Sequence, residues 1–128
     1  MKIAIATQDM TRIDAHFGWA KHFAVYDVSP EGYRFLQIHH FDGDLQPDGK
    51  SGKLQPKIQA LQGCTLVFVA AIGVEGMAKC AQAKVEPIQS FAGKSIEEAL
   101  TSLQDTLRRN TSKWLRRPLQ EERRGEEG

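Results

Sequence analysis

The sequence has few of the residues that build disulfide or metal frameworks. Only two cysteines occur among its 128 residues, Cys64 and Cys80, and no C-x-x-C pair is present. This scarcity excludes a thioredoxin-type redox pair and a zinc ribbon. We expect a cytoplasmic protein, in which both cysteines would be reduced thiols rather than partners in a disulfide.

A long apolar run and an excess of one charge are also missing. The longest apolar stretch, residues 66–74, is far too short to span a bilayer, and the apolar stretch at the start is too short for a signal peptide. Lysine and arginine number 17 against 16 acidic residues, so the net charge is only +1. This balance gives no strong attraction to nucleic acid or to an anionic membrane, and we expect neither as a partner.

The composition and periodicity that are present predict one α/β domain. Hydrophobic residues make up 41% of the chain and charged residues 26%, which is typical of a domain with a packed core. Strand patterns cover residues 2–7, 22–28, 33–41, 65–71 and 85–88, and helical patterns cover about 53–62, the stretch from the 73–76 turn to about 83, and 96–109. The order β-β-β-α-β-α-β-α predicts a five-stranded mixed sheet with helices on both faces. We expect this domain to occupy residues 1–117, followed by a charged tail at 118–128.

Turn and cap residues predict several boundaries. Residues 29–32 (Ser-Pro-Glu-Gly) form a turn that joins the second and third strands into a hairpin. Pro56 is tolerated only in the first turn of its helix, and Gly63 ends that helix. Residues 95–98 (Ser-Ile-Glu-Glu) form a capping box that begins the last helix, and Pro87 predicts an edge position for the last strand.

A candidate binding site lies at one edge of the predicted sheet. In open α/β sheets, ligands bind beyond the carboxyl ends of the strands. The 8–21 loop follows the first strand and the 72–76 turn follows the strand at 65–71. If these strands are parallel neighbours, His16 lies opposite a glycine-flanked helix N-terminus, whose free N–H groups suit an anion. An iron–sulfur cluster and a phosphate both qualify, and imidazole can bind iron.

Several short motifs occur in order along residues 1–117. They are Ile3-Ala-Ile-Ala-Thr-Gln-Asp9, Asp14-Ala-His-Phe-Gly-Trp-Ala20, Phe23-Ala-Val-Tyr-Asp-Val28, Leu61-Gln-Gly-Cys64, Ala70-Ala-Ile-Gly73 and Trp114-Leu-Arg116. Together they resemble the dinitrogenase iron–molybdenum cofactor biosynthesis family, and most closely its NifX-type members. The resemblance implies an RNase H-like, three-layer α/β/α fold and a protein that is not an enzyme.

The resemblance also implies a cargo, partners and a site. The cargo is the NifB-derived iron–sulfur precursor of the iron–molybdenum cofactor, bound transiently and carried between assembly proteins. The partners are the NifEN scaffold and a NifB-type cluster donor, with dinitrogenase as a further candidate. His16 stands at the position of a cluster ligand in a related carrier, so it is the predicted metal ligand. The predicted cofactor-binding residues are His16, Phe17, Gly18, Gly73 and Gly76.

The other candidate ligands are weaker. His39 and His40 are adjacent on a strand, so at most one can face the site, and we favour plain surface histidines. Both cysteines are assigned to packing. Phe17 and Trp19 could wall a cluster pocket or cap the core, and the sequence leaves both interpretations open. A permanent [4Fe–4S] site needs four cysteines, so a cluster here would be held by few protein bonds, which suits a carrier that releases its cargo.

Two other function classes are weighed against the carrier. A cofactor-free adaptor for protein interaction is the main alternative, because a carrier must also dock its donor and acceptor. A nuclease of RNase H-like fold would need several carboxylates held on strands around paired metal ions. The first strand has none, and Asp9 and Asp14 lie in the loop that follows it, so a nuclease is disfavoured.

Overall fold

A computed structural model of the chain describes residues 1–41 and 54–109. Its elements are β1 (Lys2–Thr7), a 3-10 turn (Phe17–Trp19), β2 (His22–Ser29), β3 (Gly32–His40), α1 (Gln55–Ala60), β4 (Leu66–Phe68), α2 (Val74–Gln82), β5 (Glu86–Ile88) and α3 (Ile96–Arg109). The predicted order of strands and helices is confirmed. The predicted domain end at residue 117, the tail at 118–128 and the motif at 114–116 lie outside the described residues.

The strands form one mixed sheet of five, in the order β3-β2-β1-β4-β5. The β2 strand pairs antiparallel with both β1 and β3, whereas β4 pairs parallel with both β1 and β5. The predicted α/β fold class of RNase H-like topology is therefore confirmed. The β5 strand lies at an edge, as Pro87 predicted, where a residue without an N–H donor is tolerated.

Helices cover both faces of this sheet and bury a separate apolar cluster on each. The cluster under α1 and α2 includes Ala4, Ala6, Phe23, Val25, Val67, Leu61 and Cys80. The cluster under α3 includes Ile3, Ile5, Leu66, Phe68, Ile96, Leu100 and Leu103. Successive residues of β1 thus contribute to opposite clusters, as the alternation of side chains along a strand requires. The result is the predicted three-layer α/β/α arrangement.

The local signals at the helix ends act as predicted. The Ser95 hydroxyl accepts a 3.0 Å hydrogen bond from the backbone N–H of Glu98 and so caps α3. Pro56 lies in the first turn of α1. Gly63 follows that helix with φ of +87°, a left-handed conformation that costs a residue with a Cβ about 1 kcal/mol or more.

The β2, β3, α1 and β5 elements differ from their predicted bounds by one or two residues, and two further differences bear on the site. The β4 strand ends at Phe68 rather than at residue 71, because the next amides leave the regular ladder and pair with other segments: Val69 donates to the Ile88 carbonyl and Ala70 to the Ala15 carbonyl. The α2 helix begins at Val74, inside the predicted 73–76 turn. Gly76 is therefore a buried residue of the helix rather than part of a turn before it.

Candidate functional site

The two predicted loops meet at the carboxyl edge of β1 and β4. The Ala70 N–H donates a 2.9 Å hydrogen bond to the Ala15 carbonyl, and the Phe17 N–H donates a 2.8 Å bond to the Ala71 carbonyl. His16 and Ala71 form a parallel bridge between these bonds. The segment carrying His16 is thereby fixed beside the chain that leads directly into α2.

Hydrogen bonds to carboxylates hold the 8–21 loop in shape. Asp9 accepts two backbone N–H bonds of 2.8 Å, which hold the pKa of its carboxyl below the usual value. Asp14 accepts a 2.8 Å bond from the Gln8 N–H, and the buried Thr7 hydroxyl lies 3.4 Å from one oxygen of each carboxylate. Both acidic side chains of this loop are therefore engaged in positioning the backbone that carries His16.

The His16 imidazole is half-buried and engaged with its own turn. It stands at the N-cap of the 3-10 turn, and its Nδ1 accepts a 3.0 Å hydrogen bond from the Gly18 N–H. Burial lowers the pKa of His16, so the ring is neutral at pH 7. The tautomer assigned from this hydrogen bond carries its proton on Nε2. The lone pair that iron would need is therefore the one directed at Gly18, and ligation requires this bond to open or the tautomer to change.

Small and aromatic neighbours shape the space beside the imidazole. The Trp19 ring lies 5.4 Å from the His16 ring, centre to centre, and Trp19 is 44% exposed. A Cβ added at Gly18 would lie 3.5 Å from two atoms of the imidazole and 3.6 Å from Leu54. Glycine at this position leaves open a space that another residue would fill. The sequence left Trp19 open as either a pocket wall or a core cap, whereas Leu54 is a neighbour that the sequence prediction did not assign to the site.

The Phe17 side chain lies beneath the site rather than in it. It is 1% exposed and packs 5.6 Å, ring centre to ring centre, from Phe23. A Cβ added at Gly76 would come within 3.1 Å of Phe17 and 2.9 Å of Ile72. Of the two interpretations left open for Phe17, the structure supports core packing, so a ligand could contact this residue only through its backbone. Gly76 allows the close approach of α2 to that ring.

The start of α2 is open to solvent. Its N-cap residue, Gly73, is exposed, and a Cβ there would meet no atom within 4 Å. Because this residue is a glycine, no side chain at the N-cap accepts a hydrogen bond from the first N–H groups of the helix. These donors and the helix dipole favour an anion, although the Glu75 carboxylate in the first turn offsets part of that positive potential.

The two cysteines are buried thiols. Cys64 is 6% exposed and Cys80 is fully buried. Burial raises the pKa of each to about 11, which keeps both protonated at neutral pH. Because a thiolate is the form that binds metal, neither cysteine is available as a ligand in this conformation. Their predicted assignment to packing is confirmed.

His39 and His40 have different environments, as adjacent strand residues should. His40 is exposed, and its Nδ1 lies 2.9 Å from the Nδ1 of His22. His39 is half-buried, and its Nε2 has no hydrogen-bond partner among the residues that the structure describes. Burial, with a smaller contribution from the positive charge of Lys2, lowers the pKa of His39. The prediction of a plain surface histidine therefore suits His40 better than His39.

Within residues 1–41 and 54–109, no three side chains of histidine, cysteine, aspartate or glutamate are grouped to hold a metal ion. The same part of the chain contains no helix long and apolar enough to cross a membrane. The candidate site consists of His16 and the solvent-exposed start of α2, which the bridge between His16 and Ala71 brings to the same edge of the sheet. Gly18 leaves space beside the imidazole, whereas Phe17 and Gly76 are buried and pack against each other in the core next to the site.

Comparisons with known proteins agree with this architecture. The family model described as dinitrogenase iron-molybdenum cofactor matches residues 1–106. The NifX protein of Herbaspirillum seropedicae is 44% identical over 120 residues, which cover 94% of this chain and 82% of that protein. The FeMo cofactor biosynthesis protein NifB of Bradyrhizobium diazoefficiens is 33% identical over 98 residues, 76% of this chain but 20% of that protein.

A solved structure supports the fold independently. The crystal structure of PH0822 superposes with a TM-score of 0.62 at 20% identity, covering 82% of this chain and 91% of that chain. At this identity the likeness concerns the fold alone. The sequence matches carry the assignment: the chain belongs to the dinitrogenase iron–molybdenum cofactor family and is similar to NifX proteins over most of its length.

Proposed function

We propose that this protein acts in the biosynthesis of the iron–molybdenum cofactor as a carrier without catalytic activity. Its cargo is an iron–sulfur precursor of the cofactor, bound transiently at His16 and the start of α2. The family match and the similarity to NifX proteins support a role in this biosynthesis. The observation that carries the proposed site is the fixed position of a neutral, half-buried imidazole beside the chain that leads into α2.

The available donor set suits a cargo rather than a resident cluster. Both cysteines are buried and protonated, so His16 is the protein ligand we propose for iron. Its low pKa reduces competition between protons and metal for the imidazole. Amide N–H groups at the start of α2 then donate to the sulfides of the anionic cluster. One coordinate bond supplemented by hydrogen bonds leaves most of the cluster exposed for transfer.

Ligation by His16 also frees a further donor. The Gly18 N–H now donates to the imidazole Nδ1 and loses that acceptor when the lone pair is given to iron. A cluster sulfide next to the metal is an acceptor of suitable charge for this amide. The space beside the imidazole at Gly18 would admit the cluster edge. We therefore include Gly18 in the proposed site through its backbone.

The proposed partners are proteins of the same biosynthesis. The NifB relative, named for FeMo cofactor biosynthesis, contains a segment similar to this chain over a fifth of its length. We propose that a NifB-type protein supplies the cluster and that the NifEN scaffold receives it, with dinitrogenase as a further acceptor. Exposed apolar side chains on the first turn of α2, Val74 at 89% and Met77 at 44%, offer a surface for such docking.

The same exposed surface favours the alternative function, an adaptor that binds assembly proteins and no cluster. The two functions differ in one measurable property. A carrier incubated anaerobically with the NifB-derived cluster emerges from gel filtration brown, with iron in proportion to protein. An adaptor emerges colourless and still associates with NifEN.

His16→Ala is expected to remain folded and to bind the cluster at least about 10–100-fold more weakly: removing an outer-shell partner of a metal ligand costs that much, and removing the ligand itself should cost no less. The measurement is iron per chain after anaerobic gel filtration, with circular dichroism to confirm the fold. His40→Ala, which removes an exposed histidine outside the proposed cargo site, is the matched control, and its visible cluster absorption after gel filtration should equal that of the wild type. Unchanged iron retention in His16→Ala would exclude His16 from the site.

Gly73→Ser is expected to change stability and binding in opposite directions. A serine hydroxyl at the N-cap accepts from the N–H groups of the first turn and should raise the free energy of unfolding by about 0.3 kcal/mol. The same hydroxyl competes with the cluster for those donors, so affinity should fall. Urea denaturation and cluster titration measure the two effects. If affinity is unchanged while stability rises, the start of α2 does not bind the cargo.

A further inference from the structure

Two histidines that the proposed cargo site does not use meet on the other face of the sheet. His22 begins β2 and His40 ends β3, and the two residues are register partners. Their Nδ1 atoms lie 2.9 Å apart. Their rings are nearly perpendicular, at 89°, with centres 4.8 Å apart. The antiparallel backbone ladder fixes both Cα positions, so this approach of the two rings follows from the strand pairing.

The distance between the two nitrogens matches that of two cis ligands on one metal ion. Imidazole nitrogens bind at about 2.0–2.1 Å, so two of them at a right angle lie about 2.9 Å apart. A tetrahedral angle would separate them by about 3.3 Å, which a small rotation of either ring supplies. Square-planar sites with nitrogen ligands are typical of Cu²⁺ and Ni²⁺, and tetrahedral ones of Zn²⁺.

This pair is separate from His16. Phe23 and Val25 of β2 pack in the cluster under α1 and α2. His22 precedes Phe23 on the strand, so its side chain lies on the opposite, α3-facing side. The His16 ring lies beside Gly18, where an added Cβ would also contact Leu54 of the cluster under α1 and α2. The two histidine sites thus share one edge of the sheet but lie on opposite faces.

We propose that His22 and His40 form a two-histidine chelate for a divalent transition metal, bound in the order Cu²⁺ above Ni²⁺ and Zn²⁺. In the metal-free pair one Nδ1 carries the proton of this hydrogen bond. On metal binding that ring carries its proton on Nε2 instead, so each neutral imidazole gives the Nδ1 lone pair to the metal. The part of the chain that the structure describes offers no third histidine, cysteine or carboxylate there. We assign the remaining coordination positions to water molecules, which makes the bound metal exchangeable.

Titration of the tag-free, full-length chain with NiCl₂ by isothermal calorimetry tests the site. One ion is expected per chain. His22→Gln and His40→Gln should each lower the affinity by about 10²-fold, because loss of one donor abolishes the chelate. CuCl₂ titration followed by electron paramagnetic resonance should show two nitrogen ligands in the wild type. Nickel is used first because it does not oxidise thiols.

His39→Gln is the matched control, since it changes the adjacent histidine, whose side chain lies on the other face. It should keep the wild-type affinity. Thermal melts provide a second readout: metal raises the Tm of the wild type and of His39→Gln but not of the other two variants. Wild-type affinity in either His22→Gln or His40→Gln would overturn the proposal, as would an equal loss in His39→Gln.

Discussion

Phe17→Ala is expected to lower the free energy of unfolding by about 3–5 kcal/mol, the range for removing a buried phenylalanine. The side chain is 1% exposed and lies between Phe23 and the helix at Gly76. Removing it loses the transfer free energy of the ring and leaves a cavity that α2 cannot fill without moving. Urea denaturation at a constant m-value measures the change.

The exposed Phe35 on β3 provides the matched control. It is 51% exposed, so Phe35→Ala loses about half of the burial free energy and leaves no closed cavity. Its expected cost is about 1 kcal/mol. A Phe17→Ala protein that is as stable as the Phe35→Ala protein, yet fails to bind cluster, would mean that Phe17 contacts the cargo directly and is not a core residue.

Gly76→Ala is the second change with a large expected effect, a net loss of up to about 2 kcal/mol of unfolding free energy. Alanine inside a helix is favoured over glycine by about 1 kcal/mol, so a neutral site would be stabilised. Here the new Cβ would lie 2.9 Å from Ile72 and 3.1 Å from Phe17, which forces α2 away from the buried ring. Overpacking of this kind costs about 1–3 kcal/mol, which outweighs the gain in propensity.

A double-mutant cycle isolates the cause of that loss. In an Ile72→Ala background, Gly76→Ala should cost less than in the wild type, because the nearest clash is gone. Gly73→Ser adds a Cβ at an open position three residues earlier and should not destabilise the chain. Equal costs of Gly76→Ala in both backgrounds, or stabilisation by Gly76→Ala, would contradict the packing role.

Local signals in the sequence predicted most of the architecture. The Ser95 cap and the apolar stripe of α3 act within one or two helical turns, and they gave bounds of 96–109 that the structure reproduces. Continuous apolar runs predicted β1 and β4 as covered, central strands, and Pro87 predicted the edge strand. The position of His16 at the carboxyl edge then followed from a general property of open α/β sheets.

Contacts between segments far apart in the sequence decided the role of Phe17 and the partner of His22. Whether Phe17 packs or binds depends on α2, nearly sixty positions later, approaching its ring at Gly76. The partner of His22 depends on an irregularity in the hairpin. Val25 pairs with Gln37 and Tyr26 with Phe35, so one extra residue lies between them on β3. An unbroken ladder from the turn would place His39 opposite His22.

The chain by itself therefore determined the kinds of elements, their order and the edge at which His16 lies, because propensity, periodicity and capping act over a few residues. Only the tertiary structure decided which side chains are exposed at that edge. Burial withdraws Phe17 and both cysteines from ligand binding, and a hydrogen bond from Gly18 engages the imidazole lone pair. The bulge in the hairpin brings His40, and not His39, beside His22.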